Sequence, residues 1–342
     1  MKKIIFCFSI ITLLMFGSCK DGGGYMPNIS GSAFEVLLVI PDSIYKTPAG
    51  EAVFNVLAAN VEHLPQAEPQ FKISKLPPSL FDNLLKTTRN IVFVTVDPTR
   101  YTTTKIKLSR DTWARTQTIA TITAADTEDL RAVLEREGYK ISDFFIKAER
   151  ARMMDFYRTN INPEALKLVD QQFGCRIAVP TSLNKYKAGE DFMWISNGSS
   201  VVNQNFIIYS TPYTSENQLT HEAIMARRDS VLKANIPGSV EGSYMGTEYR
   251  WEPPTTKIVE VNEAWCAETR GLWRMCEGEA MGGPFASLTR IDEMNNRIIT
   301  VEGFIFAPSR DKRNPIRQID AMLYSLKLPH EINEVTITNN KD

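Results

Sequence analysis

The stretch Arg297-Ile298-Ile299-Thr300-Val301-Glu302-Gly303-Phe304-Ile305-Phe306-Ala307 decides the architecture of the second half of the chain. Its β-branched and aromatic residues read as a strand. Glu302 precedes a glycine there, which predicts an exposed carboxylate at a bulge. Working outward, strands are predicted at residues 192–196, 201–210, 242–251, 256–266, 271–276 and 284–290. Two helices accompany them. Ser215-Glu216-Asn217-Gln218 is a capping box that opens the first, which runs to about Asn235. Asn314 caps the second, with Pro315 at its first position. Ile316, Ile319, Leu323 and Leu326 form its apolar stripe, and Pro329 ends it. Short strands followed by an amphipathic helix predict an antiparallel sheet with helices on one face.

The preceding half alternates differently. Strands are predicted at 34–40, 70–74, 90–96 and 116–123, with helices opened by Thr47-Pro48 and Asp126 and a longer one over 142–159. This order predicts an α/β-type layer. Asn162-Pro163-Glu164 opens a new helix that Gly174 closes, and the boundary falls beside it. The fold class is therefore α+β in two domains, residues 33–161 and 162–342. No glycine-rich loop follows Ile40, where a dinucleotide or P-loop site needs one.

The chain begins with Lys2 and Lys3, then an apolar run from Ile4 to Phe16, then Gly17, Ser18 and Cys19. So short a run suits a cleaved export signal and not a membrane-spanning helix. Leu14-Met15-Phe16-Gly17-Ser18-Cys19 resembles the lipobox of bacterial lipoproteins. The resemblance implies that residues 1–19 are a lipoprotein signal ending in Cys19, which receives the lipid. Lys20-Asp21-Gly22-Gly23-Gly24 suits a flexible tether, taken here as residues 20–32.

Lys+Arg number 39 and Asp+Glu 40, a net charge of −1 that argues against a nucleic-acid partner. Among the five cysteines, Cys7 lies in the signal. Cys266 and Cys276 flank a predicted turn at 268–271, which places a cross-strand disulfide in play; the alternative is buried free thiols with Cys175.

His63, His221 and His330 stand alone, and Met225 takes the position that a second zinc ligand would need after His221-Glu222, so no metal site or cofactor is expected. No Gly-x-Ser-x-Gly elbow occurs. Gly282 and Gly283 either admit a ligand close to the backbone or form a turn. With Trp265, Trp273 and Glu302 they form the candidate ligand surface. Glu302 and Asp292 are the candidate acids of a hydrolase.

The signal with Cys19, Gly271-Leu272-Trp273, Met281-Gly282-Gly283-Pro284-Phe285 and residues 302–308 followed by Lys312-Arg313 together resemble a family of Bacteroidetes lipoproteins of similar length, catalogued only as a domain of unknown function. The second half also resembles the PsbP type of α+β sandwich. Asp42-Ser43-Ile44 and Asp229-Ser230-Val231 resemble the Asp-Ser/Thr-apolar sites at which Bacteroidetes O-glycosylate exported proteins, with Ser43 the accessible one. These resemblances imply a cell-envelope protein, anchored by lipid at the outer membrane, and carry no activity; the expected role is a binding or scaffolding module for an envelope protein or small ligand. The alternative is an envelope hydrolase acting on glycan, peptide or lipid.

Overall fold

The computed structural model describes residues 26–332. The predicted signal, Cys19 and the start of the tether lie outside the described residues.

In the first domain, β1 (Glu35–Val39), α1 (Asp42–Tyr45), α2 (Pro48–Ala58), β2 (Lys72–Leu76), β3 (Asn90–Val96), β4 (Lys105–Arg110), β5 (Thr118–Ala124), α3 (Thr127–Glu137) and α4 (Tyr139–Thr159) follow in order. The sheet order is β2-β1-β3-β5-β4, parallel except for β4. Thr47 and Asp126 cap α2 and α3 as their sequence predicts. One sheet face, with Val36, Leu38, Val92, Val94, Ala120 and Ile122, packs against Val53, Leu57, Leu130, Leu134 and Phe145 of the helices. The other face, with Leu37, Val39, Ile91 and Ile119, is covered by Phe81, Leu85 and Trp113. β4 has no counterpart among the predicted strands because Lys105-Ile106-Lys107-Leu108-Ser109-Arg110 is a charged edge, the composition that keeps an edge from pairing further.

The second domain comprises α5 (Pro163–Phe173), β6 (Lys185–Ala188), β7 (Phe192–Ser196), β8 (Asn203–Pro212), α6 (His221–Asn235), β9 (Tyr244–Glu248), β10 (Thr255–Val261), β11 (Ala264–Cys276), β12 (Gly282–Asp292), β13 (Arg297–Phe306) and α7 (Arg313–Leu323). The antiparallel order is β10-β11-β12-β13-β8-β7-β6, with β9 also paired to β11. The α+β class in two domains therefore holds. Several details differ from the sequence reading. The Ser215 capping box opens a separate 3-10 turn, Glu216–Leu219, and α6 is capped instead by Thr220, whose hydroxyl accepts from the Ala223 N–H.

Helices cover both faces of this sheet. Phe206, Ile208, Ile299 and Val301 face α5 and α7, whereas Ile207, Tyr209, Phe285 and Phe304 face α6. A sheet buried on both sides has near-continuous apolar strands, which is why residues 297–307 show no polar alternation. The predicted turn at 268–271 lies in the middle of β11. The actual turn is Asn262-Glu263, both at positive φ (51° and 63°), and a glutamate hides it from a glycine-based reading. Finally, α7 begins at Arg313, so Asn314 and Pro315 lie inside its first turn and Asn314 is not the cap.

The cap comes from the other domain. Backbone N–H groups of Lys312 and Arg313 each donate to the Glu68 carboxylate at 2.8 Å. A carboxylate satisfies orphan donors there and faces the positive end of the helix dipole. Val61 and Leu64, from the same segment, join the core of the second domain. His63 lies between them, sharing a 2.9 Å hydrogen bond through Nε2 with Thr255 and placing Nδ1 3.2 Å from Glu252. Among the described residues no helix is long and apolar enough to cross a membrane.

Candidate functional site

The α6 side of the second sheet ends in a pocket of about 270 Å³. Trp194 on β7, Asn203 and Asn205 on β8, Trp273 and Met275 on β11, Phe304 and Phe306 on β13, and Met245 on β9 line it. Residues 236–239, after α6, and Glu279 and Met281, before β12, close its sides. The aromatic wall is built edge to face, with Trp273 and Phe304 centroids 5.6 Å apart and their planes at 67°.

The polar atoms of this wall are turned away from a ligand. Trp273 Nε1 donates to the Ile305 carbonyl at 3.0 Å, and Trp194 Nε1 donates to Asn205 Oδ1 at 2.9 Å. The ring faces and methionine side chains are what remains. At the edge, the Ser239 hydroxyl donates to the Glu279 carboxylate. Such a site takes an apolar group, because each buried donor already has its acceptor and a ligand hydroxyl finds few partners. The thioethers of Met275 and Met281, both half-buried, adapt to the guest.

The predicted ligand surface divides. Trp273 is in the pocket wall. Gly283 pairs with it across the β11–β12 ladder, and Gly282 pairs with Arg274. Gly283 has no room for a side chain: a Cβ there would lie 2.0 Å from the Ile305 carbonyl oxygen, the acceptor of the Trp273 indole. Its role is close backbone approach between β12 and β13, which seats Trp273. Trp265 lies about 26 Å away along β11 at strand rise. It is 74% exposed and borders a separate open groove with Ile258, Met294 and His330.

Glu302 is not exposed and stands at no bulge. The β12–β13 register runs unbroken from Asp292–Arg297 to Phe285–Phe304, and Glu302 is fully buried under α6. Arg228 holds it with two hydrogen bonds, from Nε at 2.8 Å and Nη2 at 2.7 Å. The Arg228 guanidinium also lies 3.5 Å from the Phe285 ring centroid and donates to Thr247 at 2.6 Å. Burial pushes the Glu302 carboxyl upward, against the pull of Arg228. Asp292 is likewise buried, with Arg297 Nε donating to it at 2.9 Å. It faces Arg297, so it lies about 17 Å from Glu302 along β13. Two carboxylates so separated, each held by an arginine, do not form a glycosidase pair.

The disulfide is also overturned. Cys266 and Cys276, like Cys175, are free and buried. Both lie on β11, about 33 Å apart at strand rise, far beyond the Cα separation a disulfide spans. Burial raises the Cys266 thiol to about 11 and the Cys175 thiol to about 12, as suits inert core residues. Ser43 is exposed, on the short α1 and not in a loop. Among the described residues no three His, Cys, Asp or Glu side chains gather as metal ligands.

Trp194, Met245, Phe304 and Phe306 escaped the sequence reading. Their aromatic and thioether character reads as core, and only the meeting of β7, β9, β11 and β13 leaves space between them. Met275 and Met281 on either side of the β11–β12 connection are the one local hint.

No curated protein matches the chain. Two family models do. Residues 29–158 match a domain of unknown function (DUF8532), and residues 162–325 match a second domain of unknown function (DUF4837). These segments carry the five-stranded and the eight-stranded sheet respectively. The chain is thus similar, over both of its domains, to families without an assigned activity.

Proposed function

We propose that this protein is a cell-envelope lipoprotein of the Bacteroidetes type, anchored in the outer membrane through lipid on Cys19, whose second domain binds an apolar group of an envelope protein or small ligand. The observation that carries the binding reading is the aromatic pocket, whose indole donors are satisfied internally and whose free surface is ring face and thioether. The anchor reading rests on the sequence of residues 2–19. A pocket of this size takes one aromatic ring or a branched aliphatic group, not a whole lipid.

Two experiments test the two halves of the proposal. Cys19→Ala in intact cells moves the protein from the membrane fraction to the soluble fraction. Retention of the variant in the membrane fraction removes the anchor. For the pocket, the ε-methyl groups of methionine are labelled with ¹³C and toluene is added. The Met275 and Met281 signals shift saturably, with a Kd on the order of 1 mM, about −4 kcal/mol. Met275→Arg abolishes the shift at Met281. If toluene leaves both signals in place, or if Met275→Arg binds as the parent does, the pocket is not a binding site.

A further inference from the structure

A second cavity lies where the two domains meet. It has a volume of about 610 Å³ and shares no residue with the aromatic pocket. Residues 59–62 and α4 form one wall; β10, β11, Arg317 on α7 and Tyr324 form the other. Ligands favour such junctions, since two rigid bodies shape the site.

Three arginines converge on its floor. Arg270 donates from Nε and Nη2 to Glu268 and, at 2.7 Å, from Nη2 to Asp320. Arg317 reaches Asp320 only at 3.4 Å, and its Nε is buried without a hydrogen-bond partner. The Arg150 guanidinium stacks on the Tyr324 ring, 3.5 Å from its centroid, and among the described residues no carboxylate lies within ion-pair distance of it. At the rim, Lys147 pairs with Asp143 and Lys257 with Glu62, each at 2.8 Å, and Glu260 is exposed. Five basic and four acidic side chains line the cavity, so attraction arises chiefly from local placement. A lining guanidinium without a carboxylate, beside the positive charge of Arg317, is an unfilled fork for an oxyanion. Burial lowers the Arg317 pKa, and Arg270 and Arg317 together offset the burial of Asp320 and hold its carboxyl below the ordinary range.

We infer that this interdomain cleft binds a small organic oxyanion, a carboxylate or phosphate, with Arg150 as its fork and the positive charge of Arg317 beside it. Stacking on Tyr324 holds Arg150 planar and ready, which lowers the ordering cost of binding. The Lys257 and Lys147 ammonium groups steer the anion inward, and the exposed Glu260 accepts from ligand hydroxyl groups.

The test uses the full chain, with arginine Nε–Hε resonances as the readout and ionic strength fixed by sodium chloride. Inorganic phosphate and succinate are added in turn, with glucose as the uncharged control. Phosphate, succinate or both shift the Arg150 and Arg317 signals saturably below about 10 mM. Saturation by one alone assigns the ligand class. Arg150→Ala weakens binding at least tenfold with unchanged circular dichroism, and Arg150→Lys weakens it too, since a point charge does not replace a planar fork. The inference is overturned if neither anion shifts these signals, if glucose shifts them as well, or if Arg150→Ala binds as tightly as the parent. Toluene binding in the aromatic pocket is unaffected by Arg150→Ala, so the two sites fail separately.

Discussion

Arg228→Ala will lower the unfolding free energy by about 3–5 kcal/mol, among the largest effects of any single substitution in this protein. The substitution leaves Glu302 buried without its bidentate partner and removes the guanidinium face from Phe285. The loss has a defined pH dependence. Burial already raises the Glu302 pKa above its unfolded value, and removing Arg228 raises it further. A carboxyl with a raised folded pKa binds more protons folded than unfolded, so the variant loses stability as pH rises from about 4.3. Chemical denaturation at pH 5 and pH 8 checks this, and the deficit is larger at pH 8. Arg228→Met with Glu302→Leu recovers most of the loss, because the apolar pair needs no desolvation of charge. A single variant as stable as the parent would mean that this pair does not tie α6 to the sheet.

Gly283→Ala will cost about 1–3 kcal/mol and also empty the aromatic pocket of its guest. Its Cβ would stand 2.0 Å from the Ile305 carbonyl oxygen and 3.1 Å from Trp273 Nε1. The first contact is with backbone, which has no rotamer to change, so β12 and β13 must part. The indole then loses its acceptor, and a buried N–H in the pocket wall is left unsatisfied. Thermal unfolding and the toluene titration report the two consequences together. Gly189→Ala is the control, since the nearest atoms to its Cβ lie at 3.7 Å. Equal melting temperatures and equal toluene affinity for the two variants would refute the close-approach role of Gly283.

These two residues show how much of the site was legible. Glu302 and Gly283 both stood out in the sequence, yet each acts through a neighbour that the sequence does not reveal. Glu302 was read as exposed because a glycine follows it. In the structure that glycine admits Ile319 of α7 on the opposite face, where a Cβ at Gly303 would approach Ile319 to 2.2 Å. A glycine required by helix packing and a glycine required by a bulge look the same in one dimension. Trp265 and Trp273 look equally suited to a ligand, but they share a strand whose length separates them. The mistaken turn at 268–271 made that strand look like two, and the same mistake brought Cys266 and Cys276 together.

The sequence by itself determined the caps at Thr47, Asp126 and Asn162, the apolar strands β1, β3 and β13, and the amphipathic stripe of α7. These depend on local hydrogen bonds and on the period of apolar residues, both of which act over a few positions. Only the tertiary structure decided what lies on the second face of the β13 sheet, which carboxylate caps α7, and where a cavity remains. Glu68 is more than two hundred positions from the amides it caps, and the pocket is space left between five strands and the segment after α6. Long-range pairings of that kind are set by how buried surfaces fit together, and no short stretch of chain encodes such a fit.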